Sequence, residues 1–169
     1  LNARHIVIGD DFRFARKREG TLDGLVRAGN ALDYSVERVP SVIVDGVRVS
    51  STAIRDALAA GDLARATALL GRPYRMSGRI VRGRQVGRSL GYATANVDLR
   101  RRQSAVTGIY AVRVHGLPEG PIEGVASVGT RPTFDLKKPL LEVHLFDFDR
   151  EIYGEYIHVD FIEHLRDEE

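Results

Sequence analysis

Cysteine is absent from the 169-residue sequence. Disulfides, thiolate metal sites and cysteine nucleophiles are therefore excluded, and a reducing cytoplasm is the expected location. No apolar run approaches the roughly 18 residues of a membrane-spanning helix, so no membrane partner is expected. Low-complexity tracts and internal repeats are missing as well. So are an initiator methionine and a signal peptide, since the chain opens Leu1-Asn2-Ala3-Arg4. It closes Leu165-Arg166-Asp167-Glu168-Glu169, which reads as the lead-in to another element. A fragment lacking both ends is expected.

What is present is an ordinary globular composition, 43% hydrophobic and 28% charged, with length for one medium domain or two small ones. A net charge of +2 hides a strong asymmetry. Arg72 to Arg102 holds nine arginines and one acid, Asp98, whereas Glu142 to Glu169 holds ten acids against Arg150 and Arg166. A local arginine excess implies either an anionic partner, through nucleotide phosphates or a nucleic acid backbone, or a solvated basic face.

The apolar period changes near Gly71-Arg72-Pro73, and the domain boundary is expected there, giving segments 1–72 and 73–169. The first alternates strands and helices. His5 to Gly9 reads as a buried strand, Thr21 to Leu32 as a helix interrupted by Gly29, and Ser35 to Val44 as one further strand. Ser51–Ala60 and Leu63–Leu70 form a helix pair, with Asp62 as N-cap and Gly71 as C-terminal cap of the second. Such alternation predicts a parallel, Rossmann-like sheet. After Pro73 no helical period is visible until the very end. Short strands are expected at 79–82, 109–115, 125–128, 140–148 and 156–162, the pattern of a small antiparallel barrel.

The richest stretch is 77–96. Gly78, Gly83, Gly87 and Gly91 let the backbone bend and approach a ligand, and Arg79, Arg84 and Arg88 between them complement phosphate charge. The same glycines also suit plain hairpin turns. Thr94 and Asn96, two apart, face one side of an extended segment. Their side-chain oxygens are hard ligands suited to Mg²⁺, though both residues also serve in turns.

These residues carry a resemblance. Gly87-Arg88-Ser89-Leu90-Gly91 followed by Thr94-Ala95-Asn96 resembles the signature of riboflavin kinases, including the kinase half of bifunctional bacterial FAD synthetases. Gly108-Ile109-Tyr110, Ser127 to Phe134, Leu141 to Phe148 and Ile152-Tyr153-Gly154 follow in family order, so the likeness covers nearly all of 73–169. The family usually has proline where Ala93 stands here, a change that removes no ligand atom. The resemblance implies a Greek-key barrel binding Mg-ATP along 78–91, with Thr94 and Asn96 near the metal. It also implies that Glu142, on the strand face opposite Leu141, Val143 and Leu145, activates the ribityl hydroxyl of riboflavin to give FMN. His144 shares that face. Asp147 and Asp149 sit beside a turn, Arg131 contacts phosphate or fixes a loop, and Arg166 belongs near a flavin entrance.

In the first segment, Ser50-Ser51-Thr52 precedes a helix with Arg55 one turn along, a combination that caps a helix or binds an anion at its N-terminus. It resembles the phosphate motif of nucleotidyltransferases. Gly9-Asp10-Asp11-Phe12-Arg13-Phe14 resembles the flavin-side block of FMN adenylyltransferases, with Ala15 in place of the family's glycine. The family's early histidine-bearing loop is absent, and His5 alone cannot replace it. The chain alone is thus expected not to make FAD efficiently, whereas a full-length parent would. Two alternatives remain. One is a basic nucleic-acid-binding barrel stacking bases on Tyr92, Tyr110 and Phe134, which leaves Thr-Ala-Asn and Leu-Glu-Val-His unexplained. The other is an inactive flavin-sensing relative. ATP and riboflavin are the expected partners and nucleic acid is not; the oligomeric state is left open.

Overall fold

The computed structural model describes residues 3–82, 94–101, 103–132 and 137–167. They divide into two compact units, Leu1–Val49 and Ser50–Glu169.

In the first unit, β1 (His5–Gly9) pairs in parallel with β2 (Ser35–Val39), His5 opposite Ser35 and Gly9 opposite Val39. A parallel pair needs a crossover, and α1 (Leu22–Leu32) supplies it. Thr21 caps α1 by accepting from the Gly24 amide at 3.2 Å, and Asp33 closes it in the left-handed conformation. Gly29 does not interrupt this helix as expected. It is buried where Tyr34 crosses, and a Cβ there would strike the Tyr34 carbonyl. The single strand expected over Ser35 to Val44 is two: Pro40, which cannot donate to a ladder, follows β2. The chain restarts as a hairpin of β3 (Ile43–Val44) and β4 (Val47–Arg48). Asp45 and Gly46 turn it with φ of 49° and 75°, the signs a tight two-residue hairpin turn demands.

The second unit opens with α2 (Ser51–Ala59) and α3 (Leu63–Leu70). Asp62 caps α3 by accepting from the Arg65 amide at 2.9 Å, and Gly71 ends it at φ 70°. Leu63, Ala66 and Leu69 form its buried stripe, and α3 lies against β5 (Tyr74–Val81) and β10 (Tyr156–Arg166). Between those strands run β6 (Thr94–Asp98), β7 (Gly108–His115), β8 (Ile122–Pro132) and β9 (Lys137–Leu145). The six close into an antiparallel barrel in the order β10-β5-β6-β9-β8-β7. Because β10 returns beside β7, the strands β7 to β10 form a Greek key. Most strands are longer than their apolar alternation suggested, and the chain's end is strand to Arg166, bent by register shifts after Phe161 and His164.

Inward side chains fill the barrel. Phe161 sits between Tyr74 and Tyr110, ring centroids 5.6 and 5.1 Å away, and burial of each large apolar side chain contributes about 1.5–3 kcal/mol. Among the described residues one charge is buried, on the outer face. Asp160 is held by both forks of Arg75, at 2.5 and 2.7 Å, with His115 Nε2 at 3.1 Å but out of line for a hydrogen bond. Burial pushes the Asp160 carboxyl up, but the Arg75 hydrogen bonds and charge, with His115, bring it below its ordinary value.

Asp160→Asn lowers Tm at neutral pH by the equivalent of about 1–2 kcal/mol, since Arg75 stays partly solvated. A depressed carboxylate stabilises the fold above its unfolded value of 3.8 and loses that effect as pH falls through the folded value. The Tm gap between variant and parent therefore closes in acid. Ala15 holds φ 65° and ψ 178°, a region nearly reserved for glycine. Ala15→Gly should stabilise the first unit by about 1 kcal/mol, read by chemical denaturation.

Candidate functional site

The barrel's alternation builds the site. Ala95 and Val97 on β6, and Leu141, Val143 and Leu145 on β9, are buried in the core. Thr94, Asn96, Glu142 and His144 consequently share the outer face. The register sets Asn96 directly opposite Glu142, and Thr94 opposite His144. Ser127 of β8 flanks Glu142 on its other side, and Val81 of β5 flanks Asn96. Directly opposed residues hold their Cβ atoms about 4.5–5.5 Å apart. Ser127, Glu142 and Asn96 thus form one row across three strands.

Within that row Asn96 is 7% exposed, and its Oδ1 is buried with no hydrogen-bond partner among the described residues. Buried polar atoms are normally paired. An amide oxygen in this condition, two residues from the exposed Thr94 hydroxyl, is a hard donor set that fits a Mg²⁺ sharing its shell with water and phosphate. No cluster of three or more His, Asp or Glu side chains able to hold a metal exists among the described residues.

A cleft of about 190 Å³ opens at the barrel end where β6 begins and β9 finishes. Thr94 stands on its wall with Ile80, Ala95, Val143 and Leu145, facing the stretch from Phe148 to Tyr153. Glu142 and Asn96 are not in the lining; they lie on the neighbouring face of the same strands, and Thr94 belongs to both places. Two aromatic rings of the cleft carry arginines, Arg82 at 5.4 Å from the Tyr153 centroid and Arg150 at 5.7 Å from that of Phe148. Glu119 accepts from Arg150 at 2.8 and 3.2 Å, and this bond holds its carboxyl below the usual value.

Of the other expected site residues, Gly78 lies within β5, where a Cβ would run into the carbonyl oxygen of Asp98. The two strands approach so closely there that packing alone requires glycine. Arg79 donates to the Gly154 carbonyl. Gly83, Arg84, Gly87, Arg88 and Gly91 lie outside the described residues, as does Ala93. Ser50 caps α2, accepting from the Ala53 amide at 3.1 Å, with Ser51 and Thr52 in the first turn and Arg55 one turn along. In the first unit Phe12 and Phe14 stack at 5.8 Å, and Asp11 pairs with Arg48 at 2.6 Å. Sequence reasoning gave the aromatic–arginine pairs of the cleft no role. Their only trace was the aromatic spacing of Phe146-Asp147-Phe148 and Ile152-Tyr153-Gly154.

Comparison with known proteins bears on both units. A family model described as riboflavin kinase matches residues 70–169, and one described as FAD synthetase matches residues 1–53. A bifunctional riboflavin kinase/FMN adenylyltransferase from Escherichia coli strain K12 is 46% identical over 169 residues, all of this chain and 54% of that protein. One from Haemophilus influenzae is also 46% identical, over 99% of this chain and 54% of its own length. The chain therefore spans about half the length of these curated relatives. Among solved structures, a macrolide-efflux protein from Streptococcus pneumoniae aligns with a TM-score of 0.75 at 37% identity, over 99% of this chain and 54% of that one.

Proposed function

Because the chain belongs to the riboflavin kinase family, we propose that it transfers the γ-phosphoryl group of ATP to the ribityl 5′-hydroxyl of riboflavin, giving FMN and ADP. The observation that carries this reading is the row in which Glu142 stands directly across from Asn96, whose buried Oδ1 has no partner among the described residues. Phosphoryl transfer demands little covalent chemistry from a protein; it needs the phosphates held, their charge offset and the attacking oxygen aligned. Thr94 and Asn96 would hold a Mg²⁺, which when bound offsets the charge of the phosphates.

Glu142 accepts the proton of the ribityl hydroxyl as its oxygen attacks the γ-phosphorus and the bond to the ADP oxygen breaks. General-base help of this kind is worth about 10²–10⁴-fold. The cleft beside Thr94 suits the nucleotide: Tyr153 and Phe148 line it with aromatic surface for a base, and the arginine–glycine segment of Gly83, Arg84, Gly87, Arg88 and Gly91 would run along the phosphates. Family membership accounts for the arginine excess without nucleic acid, and the nucleic-acid reading gains no observation of its own.

We further read residues 1–72 as the C-terminal part of an FMN adenylyltransferase domain with a Rossmann-like sheet, and 73–169 as the kinase domain. The parallel β1–α1–β2 unit supports the first, and the closed barrel supports the second. In packing, α2 and α3 join the barrel. A protein as long as the curated relatives would also convert FMN to FAD, with Ser50, Ser51, Thr52 and Arg55 at phosphate and Asp11, Phe12 and Phe14 on the flavin side. Among the described residues no helix is long and apolar enough to cross a membrane, and the absence of cysteine favours a cytoplasmic setting.

The test is incubation with riboflavin, ATP and Mg²⁺, followed by chromatography of the flavins; FMN should accumulate. Glu142→Gln should lower kcat at least about 10²-fold while ATP still binds, and turnover equal to the parent's would remove the base assignment. Asn96→Val should leave Tm unchanged or raised, because an unpartnered buried polar group is lost. The same variant should raise the KM for Mg-ATP. A marked fall in Tm with an unaltered KM would make Asn96 a structural residue.

A further inference from the structure

Arg48 carries more contacts than an exposed arginine on a two-residue strand needs. Its Nη2 lies 2.6 Å from Asp11 Oδ2 and 3.5 Å from Asp10 Oδ1, and its Nε donates to Ser41 Oγ at 2.8 Å. Ser41 in turn donates its hydroxyl to Asp10 Oδ1 at 2.8 Å and its amide to Asp10 Oδ2 at 3.0 Å. The result is a closed circuit joining the β3–β4 hairpin to the loop that follows β1. The hairpin has two residues per strand, and Val42 and Ile43 are exposed. The loop runs from Asp10 to the positive-φ residues Ala15, Lys17 and Arg18 and presents Phe12, exposed and stacked on Phe14.

Stability does not explain this circuit. The side chains of Arg48 and Asp11 are 47% and 64% exposed, and exposed ion pairs add little to folding. What a planar guanidinium does supply is direction, since its Nε is fixed on Ser41 Oγ while its Nη2 faces Asp11 and, further off, Asp10. It also supplies charge. The phosphate of FMN carries about −1.5 to −2 charges at neutral pH, and two adjacent uncompensated aspartates would repel it. The Asp10 carboxyl lies below its ordinary value through the Ser41 hydrogen bonds, and that of Asp11 through the Arg48 hydrogen bond, so both are anionic.

We propose that Arg48 is the positioning residue of the flavin-side loop: by bridging Asp10, Asp11 and Ser41 it holds Phe12 and Phe14 in place and cancels acidic charge beside the FMN phosphate. This rests on the adenylyltransferase reading of residues 1–72. The test uses the protein at the full length of its curated relatives, with the FMN adenylylation and riboflavin phosphorylation rates measured separately. In Arg48→Met the KM for FMN should rise about tenfold, while the KM for ATP and the kinase rate stay within about twofold and Tm moves by no more than about 2 °C. Arg48→Lys, which keeps a cation without the fork, should recover only part of the loss. An unchanged KM for FMN overturns the proposal. So does an equal rise in both KM values with a lower Tm, the signature of a structural prop. A parent that forms FMN and no FAD instead removes the adenylyltransferase reading, and the role of Arg48 with it.

Discussion

The pairing of β6 with β9 is the constraint on which the site depends. Side chains alternate along each strand, so the core demand of Ala95, Val97, Leu141, Val143 and Leu145 decides where their neighbours go. Thr94, Asn96, Glu142 and His144 are left on one outer face, with Asn96 and Glu142 in one row. A slip of one residue on either strand would turn that strand's polar pair inward and place a carboxyl group or an amide in the barrel core. Packing in the interior thereby enforces the position of an acid on the outer face. The close approach of β5 and β6 at Gly78 adds to the same control, because the lack of a Cβ lets β6 lie flush against its neighbour.

Much of this was legible in the sequence, for identifiable reasons. The helix pair was readable because Asp62 and Gly71 are strong boundary signals with local causes, and both act as caps in the structure. The common face of Thr94 and Asn96 followed from a spacing of two residues, which needs no knowledge of the partner strand. Strand lengths were less legible. β8 runs to Pro132 and β10 to Arg166, and their extra residues are held by ladders, to neighbouring β9 and to distant β7, rather than by alternation of their own. Pro40 carried a clear signal that the run of valine and isoleucine around it obscured.

The features that sequence did not reveal are those built across long separations. Arg75 and Asp160 are 85 positions apart, and neither sits in a pattern that points to the other. The circuit of Arg48, Ser41, Asp10 and Asp11 likewise joins a hairpin to a loop some thirty residues earlier. In both cases charge complementarity becomes visible only once the backbone has brought the partners together.

The seam of the barrel has a consequence for how the protein is made. β5 begins at Tyr74 and its neighbour β10 ends at Arg166, so the cylinder cannot shut until β10 is available. Contacts of such long range slow folding, because the intervening chain must be ordered before any of them forms. During synthesis from the N-terminus, β5 waits with an unpaired flank while five more strands are produced. Arg75 on that waiting flank offers a charged side chain to solvent where a hydrophobic one would invite pairing with another nascent chain. When β10 arrives, Asp160 takes up the same charge, so Arg75 guards the open edge and then fastens it.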